Sequence, residues 1–71
     1  MSNIKPGMVI DVEAYTDING NPHYQEYKVL DWEAPKLKDG KWYFTAYCGD
    51  TDGISPMGVK AERIKIVRIP D

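Results

Sequence analysis

The segment KWYFTAYC, from Lys41 to Cys48, is the part of the sequence that decides the fold. It is rich in aromatic residues and is bounded by Gly40 and Gly49, which is typical of a β-strand. Successive side chains of a strand point to opposite faces, so the segment carries two distinct rows. One row is Trp42, Phe44, Ala46 and Cys48, and the other is Tyr43, Thr45 and Tyr47. The first row predicts a buried face.

Two further strands are predicted before this segment. MVIDVEAY, residues 8–15, alternates with Ile10, Val12 and Ala14 on one face. HYQEYKVLDW, residues 23–32, reads as its partner, with Tyr27 and Val29 on one face. Between them, Asn19-Gly20 predicts a tight turn, because both residues tolerate a positive φ angle. These segments predict an antiparallel hairpin.

The remaining segments are predicted as loops and one broken strand. EAPKLKDG (33–40) and GDTDGISPMG (49–58) contain proline, glycine and polar residues, which favour loops. VKAERIKIVRI (59–69) begins and ends like a strand, with a short helical turn predicted at AERI. Four or five short strands in 71 residues indicate one all-β domain, residues 1–71, folded as a small barrel or rolled sheet. Its predicted core is Ile10, Val12, Val29, Phe44, Ala46, Ile64 and Ile66.

Composition excludes several classes of protein. The single cysteine, Cys48, can form no intramolecular disulfide, and it is predicted to be buried and inert. No apolar run approaches the roughly 20 residues that span a bilayer, and the start has no signal-peptide pattern, so a cytoplasmic location is expected. His23 is the only histidine and stands in no catalytic pattern. The chain is therefore predicted not to be an enzyme and to use no cofactor or metal.

Charge is unevenly distributed along the chain. The net charge is −2, with acidic residues concentrated between residues 10 and 31 and basic residues between 59 and 69. This balance argues mildly against a dedicated nucleic-acid binder. The simplest interpretation is that the two groups pair across the sheet or lie in solvent.

Two motifs resemble the WYL domain of bacterial transcriptional regulators. WYFTAYC (42–48) is similar to the Trp-Tyr-Leu run that names the family, often followed by Ala-Tyr-Cys, and VKAERI (59–64) is similar to its second motif. The resemblance implies a five-stranded SH3-like barrel acting as a ligand-sensing module. It also implies that Tyr47, Lys60 and Arg63 bind a nucleotide or single-stranded nucleic acid.

The chain departs from the family pattern in three respects. It has no helix-turn-helix segment, and its inter-motif loop contains Asp50 and Asp52 where the family loop is often basic. Lys60 stands where the second motif has its first arginine, and a lysine loses bidentate recognition of phosphate. A stand-alone barrel of this kind favours a second hypothesis, a bacterial or phage accessory factor that binds a protein partner.

That hypothesis uses an exposed aromatic face with an acidic rim. Aromatic residues are enriched at interface hot spots, and acidic residues attract a basic partner. The predicted face is Tyr15, Tyr24, Trp32 and Tyr43, beside Asp11, Glu13, Glu26 and Asp31. Because so small a core cannot bury every aromatic side chain, exposed aromatics beside an open sheet edge also predict a homodimer.

Overall fold

The computed structural model describes residues 3–69, which form an antiparallel sheet with one 3₁₀ turn, Ala61–Arg63. The strands are β1 (Val9–Thr16), β2 (Pro22–Val29), β3 (Lys36–Lys38), β4 (Lys41–Cys48), β5 (Gly53–Lys60) and β6 (Ile64–Arg68). No helix in this described part of the chain is long and apolar enough to cross a membrane.

The strands are ordered β3-β4-β2-β1-β6, and β5 also pairs with β4. Since β5 follows β4 from Lys41 to Cys48, β2 and β3 share the opposite edge of β4. There β2 pairs with Ala46 and Tyr47, and β3 pairs with residues 41–43. The sheet curls into a half-barrel, which confirms the predicted all-β, barrel-like fold.

One strand lies where the sequence predicted only a loop. β3 and β4 form a hairpin in which Lys38 faces Lys41 across Asp39 and Gly40. Both turn residues have positive φ angles, 53° and 79°, as a two-residue type I′ turn requires. The added strand brings the total to six.

Two other turn predictions need correction. The predicted loop 49–58 is mostly strand, because β5 begins at Gly53, and Pro56 is accommodated on an edge strand. The β1–β2 connection is longer than a two-residue turn. There the Asp17 side chain accepts hydrogen bonds of 2.9 Å from the backbone N–H groups of both Asn19 and Asn21. Gly20 takes a positive φ angle, and Asn19 does not.

The core lies on the concave face of the half-barrel. Phe44, Met8, Ile10 and Val29 are its largest fully buried side chains. The full buried set is Ile4, Met8, Ile10, Val12, Val29, Trp42, Phe44, Ala46, Cys48 and Val59. The prediction is confirmed for five of its seven residues, whereas Ile64 and Ile66 are half-buried and pack against the cluster. They face Val12 and Ile10 across the β1–β6 pairing.

A β-bulge near the end of β1 changes the direction of its last side chains. Glu13 faces Tyr24, but the next paired residues are Tyr15 and His23, so Ala14 is the extra residue. A bulge resets the alternation of side chains beyond it. Ala14, predicted to share a face with Ile10 and Val12, is consequently exposed, and Tyr15 lies on the opposite face of the hairpin from Tyr24.

Candidate anion-binding surface

Basic side chains gather on the convex face of the sheet where β3, β4 and β5 lie side by side. One face of β4 is buried through Trp42 and Phe44, so Lys41 and Tyr43, which alternate with them, face outward. Residues directly opposite one another in an antiparallel pair share a face. This places five side chains together, which we call the lysine face: Lys36, Lys38, Lys41, Lys60 and Tyr43.

The lysine face consists of two adjacent rows. In the first row Lys38 faces Lys41, and Lys41 faces Lys60 on the third strand. Neighbouring strands are about 4.8 Å apart, so this row crosses roughly 10 Å of sheet. In the second row Lys36 faces Tyr43, which faces Gly58. All four lysines are exposed, and an open groove lined by Lys36, Leu37, Lys38, Asp39 and Tyr43 adjoins them.

These lysines have no ionic partner in the described part of the chain. The one ion pair among residues 3–69 joins His23 to Asp17, at the far hairpin. Asp39 and Glu62 line a second groove beside Lys41 and Lys60 without coming within ion-pair distance of them. The lysine face therefore presents ammonium groups that are free to bind an anion.

The arrangement carries a cost in folding stability. Like charges directly opposite on neighbouring strands are destabilising, by roughly 0.2–1 kcal/mol per pair. Lysine on an edge strand protects against unwanted strand pairing, which accounts for Lys36 and Lys38 on β3. It does not account for Lys41, since β4 is paired on both sides at that residue. A departure from local folding preference without structural compensation is expected at functional sites.

Tyr43 lies over a glycine, which fixes its position among the lysines. A Cβ atom built on Gly58 would lie 2.8 Å from Cε1 and 3.1 Å from Cδ1 of the Tyr43 ring. The ring therefore occupies the space that any other side chain at position 58 would fill. With 45% of its surface exposed, Tyr43 keeps a large aromatic area open to solvent.

The structure does not bring together the three residues predicted to bind a nucleotide. Lys60 faces Lys41 at one end of the β4–β5 pair, whereas Tyr47 faces Ile54 toward the other end. Tyr47 follows Lys41 by six residue steps along β4, which is roughly 20 Å. Arg63 lies elsewhere, donating a hydrogen bond through Nη2 to the backbone oxygen of Glu13. Only Lys60 joins the lysine face.

Tyr47 is instead engaged with the β4–β5 turn. Its hydroxyl donates a 2.6 Å hydrogen bond to Oδ1 of Asp52. That bond, and then the negative charge of Asp52, raises the pKa of the Tyr47 phenol above its ordinary value. Half-buried and bonded to a carboxylate, Tyr47 is a poor surface for an anionic ligand.

The predicted aromatic face is also divided. Tyr15, Tyr24, Trp32 and Tyr43 are all exposed, by 60%, 38%, 68% and 45%. The bulge in β1 sends Tyr15 to the other side of the hairpin, where it stacks on His23 with ring centroids 4.6 Å apart. The Lys65 Nζ atom lies 4.5 Å from the centre of the Tyr24 ring. Trp32 lies beyond the end of β2, in the connection to β3.

The acidic and basic segments are neighbours in the sheet, although they form no close ion pair. β6 pairs with β1, and this pairing sets Lys65 opposite Asp11. The Lys65 side chain nevertheless lies over Tyr24. On this part of the convex face acidic and basic side chains are interspersed, so it lacks the single sign of the lysine face.

Sequence reasoning missed the lysine face because it missed β3. The dipeptide Asp39-Gly40 is a strong hairpin signal, and Lys36, Lys38 and Lys41 flank it. Interpreting it as a hairpin would have placed these lysines on one surface with Tyr43. Lys60 joins them only through the register of β5.

Comparison with known proteins gives no relative from which a role could be transferred. No family model, no curated protein and no solved structure matches the chain. The resemblance to the WYL domain stays a prediction based on its two motifs.

Proposed function

We propose that this chain is a small binding module that contacts the phosphate backbone of a nucleic acid through the lysine face. The observation that carries the proposal is the row Lys38–Lys41–Lys60, three unpaired lysines in register across adjacent strands. A nucleic acid that places phosphates against these side chains releases its condensed counterions, and this drives binding. The fourth lysine, Lys36, stands in the neighbouring row, two residues before Lys38 on β3.

The net charge of −2 limits the strength of this interaction. The acidic residues elsewhere on the molecule repel a long polyanion, so only the local field of the lysine face is attractive. We expect micromolar binding at low salt, with an orientation that keeps the β1–β2 hairpin away from the nucleic acid.

Salt dependence tests the proposal directly. For about four phosphates on a single strand, log Kd rises with log salt at a slope of about 2.8. Binding of a labelled oligothymidylate of about 12 nucleotides, measured by fluorescence anisotropy, should therefore weaken about 50-fold between 50 and 200 mM salt. Absence of binding at high micromolar protein and low salt contradicts the proposal.

Charge-matched variants locate the binding surface. Lys41→Gln with Lys60→Gln removes two charges from the lysine face and should lower the salt slope by about 1.4. The control is Lys5→Gln with Arg68→Gln, which removes two exposed charges elsewhere and leaves the slope unchanged. Equal losses in both pairs would show that only overall charge matters. Polyglutamate at the same concentration of charge is used as a competitor. Equal competition by polyglutamate would indicate that the lysine face binds an acidic protein instead of a nucleic acid.

A second candidate function is binding to another protein chain, favoured by the open edge of β6. Three strands have an edge without a partner in the described chain: β5 carries Pro56, β3 has three residues with two lysines, and β6 has five residues, Lys65 and Arg68 among them, and no proline. Val67 and Ile69 near that edge are 52% and 61% exposed. An exposed edge strand of this length, with apolar side chains open to solvent, offers unpaired backbone groups to another strand.

The occupant we propose for this edge is a second copy of the chain. If two β6 strands pair antiparallel about Ile66, Lys65 faces Val67 and Ile64 faces Arg68, so no like charges stand directly opposite. Light scattering behind a sizing column should give a dimer mass at high micromolar concentration. Val67→Lys with Ile69→Lys should return the mass to that of a monomer. A monomer mass for the unmodified chain at every concentration contradicts pairing.

A further inference from the structure

The lysine face contains an aromatic ring as well as charge, and this combination selects among nucleic acids. Tyr43 stands in the second row, directly opposite Lys36 and next to the row Lys38–Lys41–Lys60. Lysines alone would bind any array of phosphates, whether single-stranded or duplex. An exposed aromatic ring adds affinity only for a base whose face is free.

From this geometry we infer that the lysine face prefers single-stranded over double-stranded nucleic acid, with an unpaired base stacked on Tyr43 while the lysines hold the adjacent phosphates; this rests on the binding role proposed above. In a duplex each base face is covered by its neighbours. A duplex therefore offers only phosphates to this surface, and Tyr43 contributes nothing to its binding.

The surroundings of Tyr43 suit this role better than those of the other exposed aromatic side chains. Tyr15 has His23 stacked on its ring at an interplanar angle of 7°, and Tyr24 has Lys65 over its ring. Trp32 is 68% exposed but lies in a connection outside the strands that carry the lysine rows. The backbone of Tyr43 is fixed because β4 is paired on both sides at this residue, and its ring lies over Gly58.

Three labelled probes of equal phosphate count separate base stacking from charge. They are an oligothymidylate of about 12 nucleotides, an abasic deoxyribose-phosphate strand of that length, and a blunt duplex with the same total number of phosphates. At one low salt concentration, the unmodified protein should bind the oligothymidylate about 5- to 150-fold more tightly than the abasic strand, the contribution of one stacked base. The duplex should bind through charge alone, and its affinity should not depend on the Tyr43 ring.

The key variant is Tyr43→Leu, which keeps an apolar side chain and removes the ring. It should abolish the preference for oligothymidylate while binding of the abasic strand stays unchanged. Tyr43→Phe should keep the preference, because stacking needs the ring and not the hydroxyl. Tyr24→Leu is the matched control, since it removes a tyrosine from the same convex face but outside the lysine face. Urea unfolding midpoints show that each variant is folded under the binding conditions.

The outcomes separate this inference from the function on which it rests. Salt-dependent binding of all three probes with equal affinity overturns the preference and leaves a charge-based binding module. Loss of preference in both Tyr43→Phe and Tyr24→Leu also overturns it, because a general disturbance of the sheet would then explain Tyr43→Leu. No binding of any probe overturns both.

Discussion

The β1–β2 hairpin and the β3–β4–β5 face both present charged and aromatic side chains, but these side chains interact with one another only in the hairpin. In the hairpin, polar and aromatic groups are occupied by one another: His23 bonds to Asp17 at 2.9 Å and stacks on Tyr15. On the lysine face, the charged groups have no ionic partner in the described chain. Exposed charge or aromatic area alone therefore does not mark a site. What marks it is a group whose favourable interaction has not already been made within the molecule.

The two regions share one core, and a substitution at Phe44 should have the largest effect on the stability of both. Phe44 is 1% exposed and belongs to the central strand β4. Phe44→Ala should cost about 3–5 kcal/mol, because it removes most of a buried ring and leaves a cavity. A domain of this kind has only about 5–15 kcal/mol in total, so the variant should be near its unfolding threshold at room temperature.

Urea unfolding followed by circular dichroism and by tryptophan fluorescence measures this loss. Trp42 reports on the β4 core and Trp32 on the exposed connection. Coincident transitions are expected if the hairpin and the lysine face unfold together. Separate transitions would show that the two regions are independent folding units that do not share one core.

Stacking in the hairpin should contribute to stability, whereas Tyr43 should not contribute in the same way. Replacing Tyr15 with Leu removes its stacked contact with His23 and should cost about 0.5–1.5 kcal/mol. Tyr43→Leu, on the lysine face, removes no stacked aromatic partner and should cost less. Unfolding midpoints of the two variants check this order, and the reverse order would mean that Tyr43 is a structural residue.

Charge on the lysine face should oppose folding while it supports binding. Lys41→Gln relieves repulsion with both Lys38 and Lys60, so stability should rise by about 0.2–1 kcal/mol per pair relieved. Lys65→Gln, on the β1–β6 part of the sheet, removes the cation that lies over Tyr24 and should not stabilise. Thermal unfolding at low and high salt measures the stability change of each variant. The stability gained in Lys41→Gln should shrink at high salt, because salt screens the repulsion.

The smallest expected effects are on the pH dependence of stability, and they involve the β1–β2 turn and the β4–β5 turn. The hydrogen bond from His23, followed by that from the Asn21 backbone, lowers the pKa of Asp17 below its ordinary 3.8. A lowered pKa stabilises the fold above pH 3.8, and this contribution is lost as pH falls through the lowered value. Asp17→Asn should therefore remove part of the loss of melting temperature at acid pH.

The pKa shift of Tyr47 has the opposite sign to that of Asp17. Its raised pKa stabilises the fold below its ordinary value of 10.0, and this contribution disappears as pH rises through the raised value. Tyr47→Phe should flatten the fall in melting temperature at alkaline pH. An unchanged alkaline profile would show that the Tyr47–Asp52 bond contributes nothing to stability.

Local signals in the sequence were enough to identify β1, β2 and β4 and five residues of the core, but not β3 or most of β5. The alternation in Trp42–Cys48 requires one buried face, and the same period buries Ile10 and Val12 in β1. Glycine, proline and the short strands made a small barrel the simplest way to cover that face. These inferences needed no knowledge of which strand lies beside which.

Only the tertiary structure decided which outward-facing residues are neighbours. The register of β3, β4 and β5 gathers Lys38, Lys41 and Lys60 into one row, and a single bulge in β1 separates Tyr15 from Tyr24. Pairing register sets the neighbours of every convex-face side chain, yet the free energy that fixes it comes mainly from the buried face. Buried residues that do not belong to a surface site therefore decide which residues the site contains. The sequence pattern of a single strand does not show this.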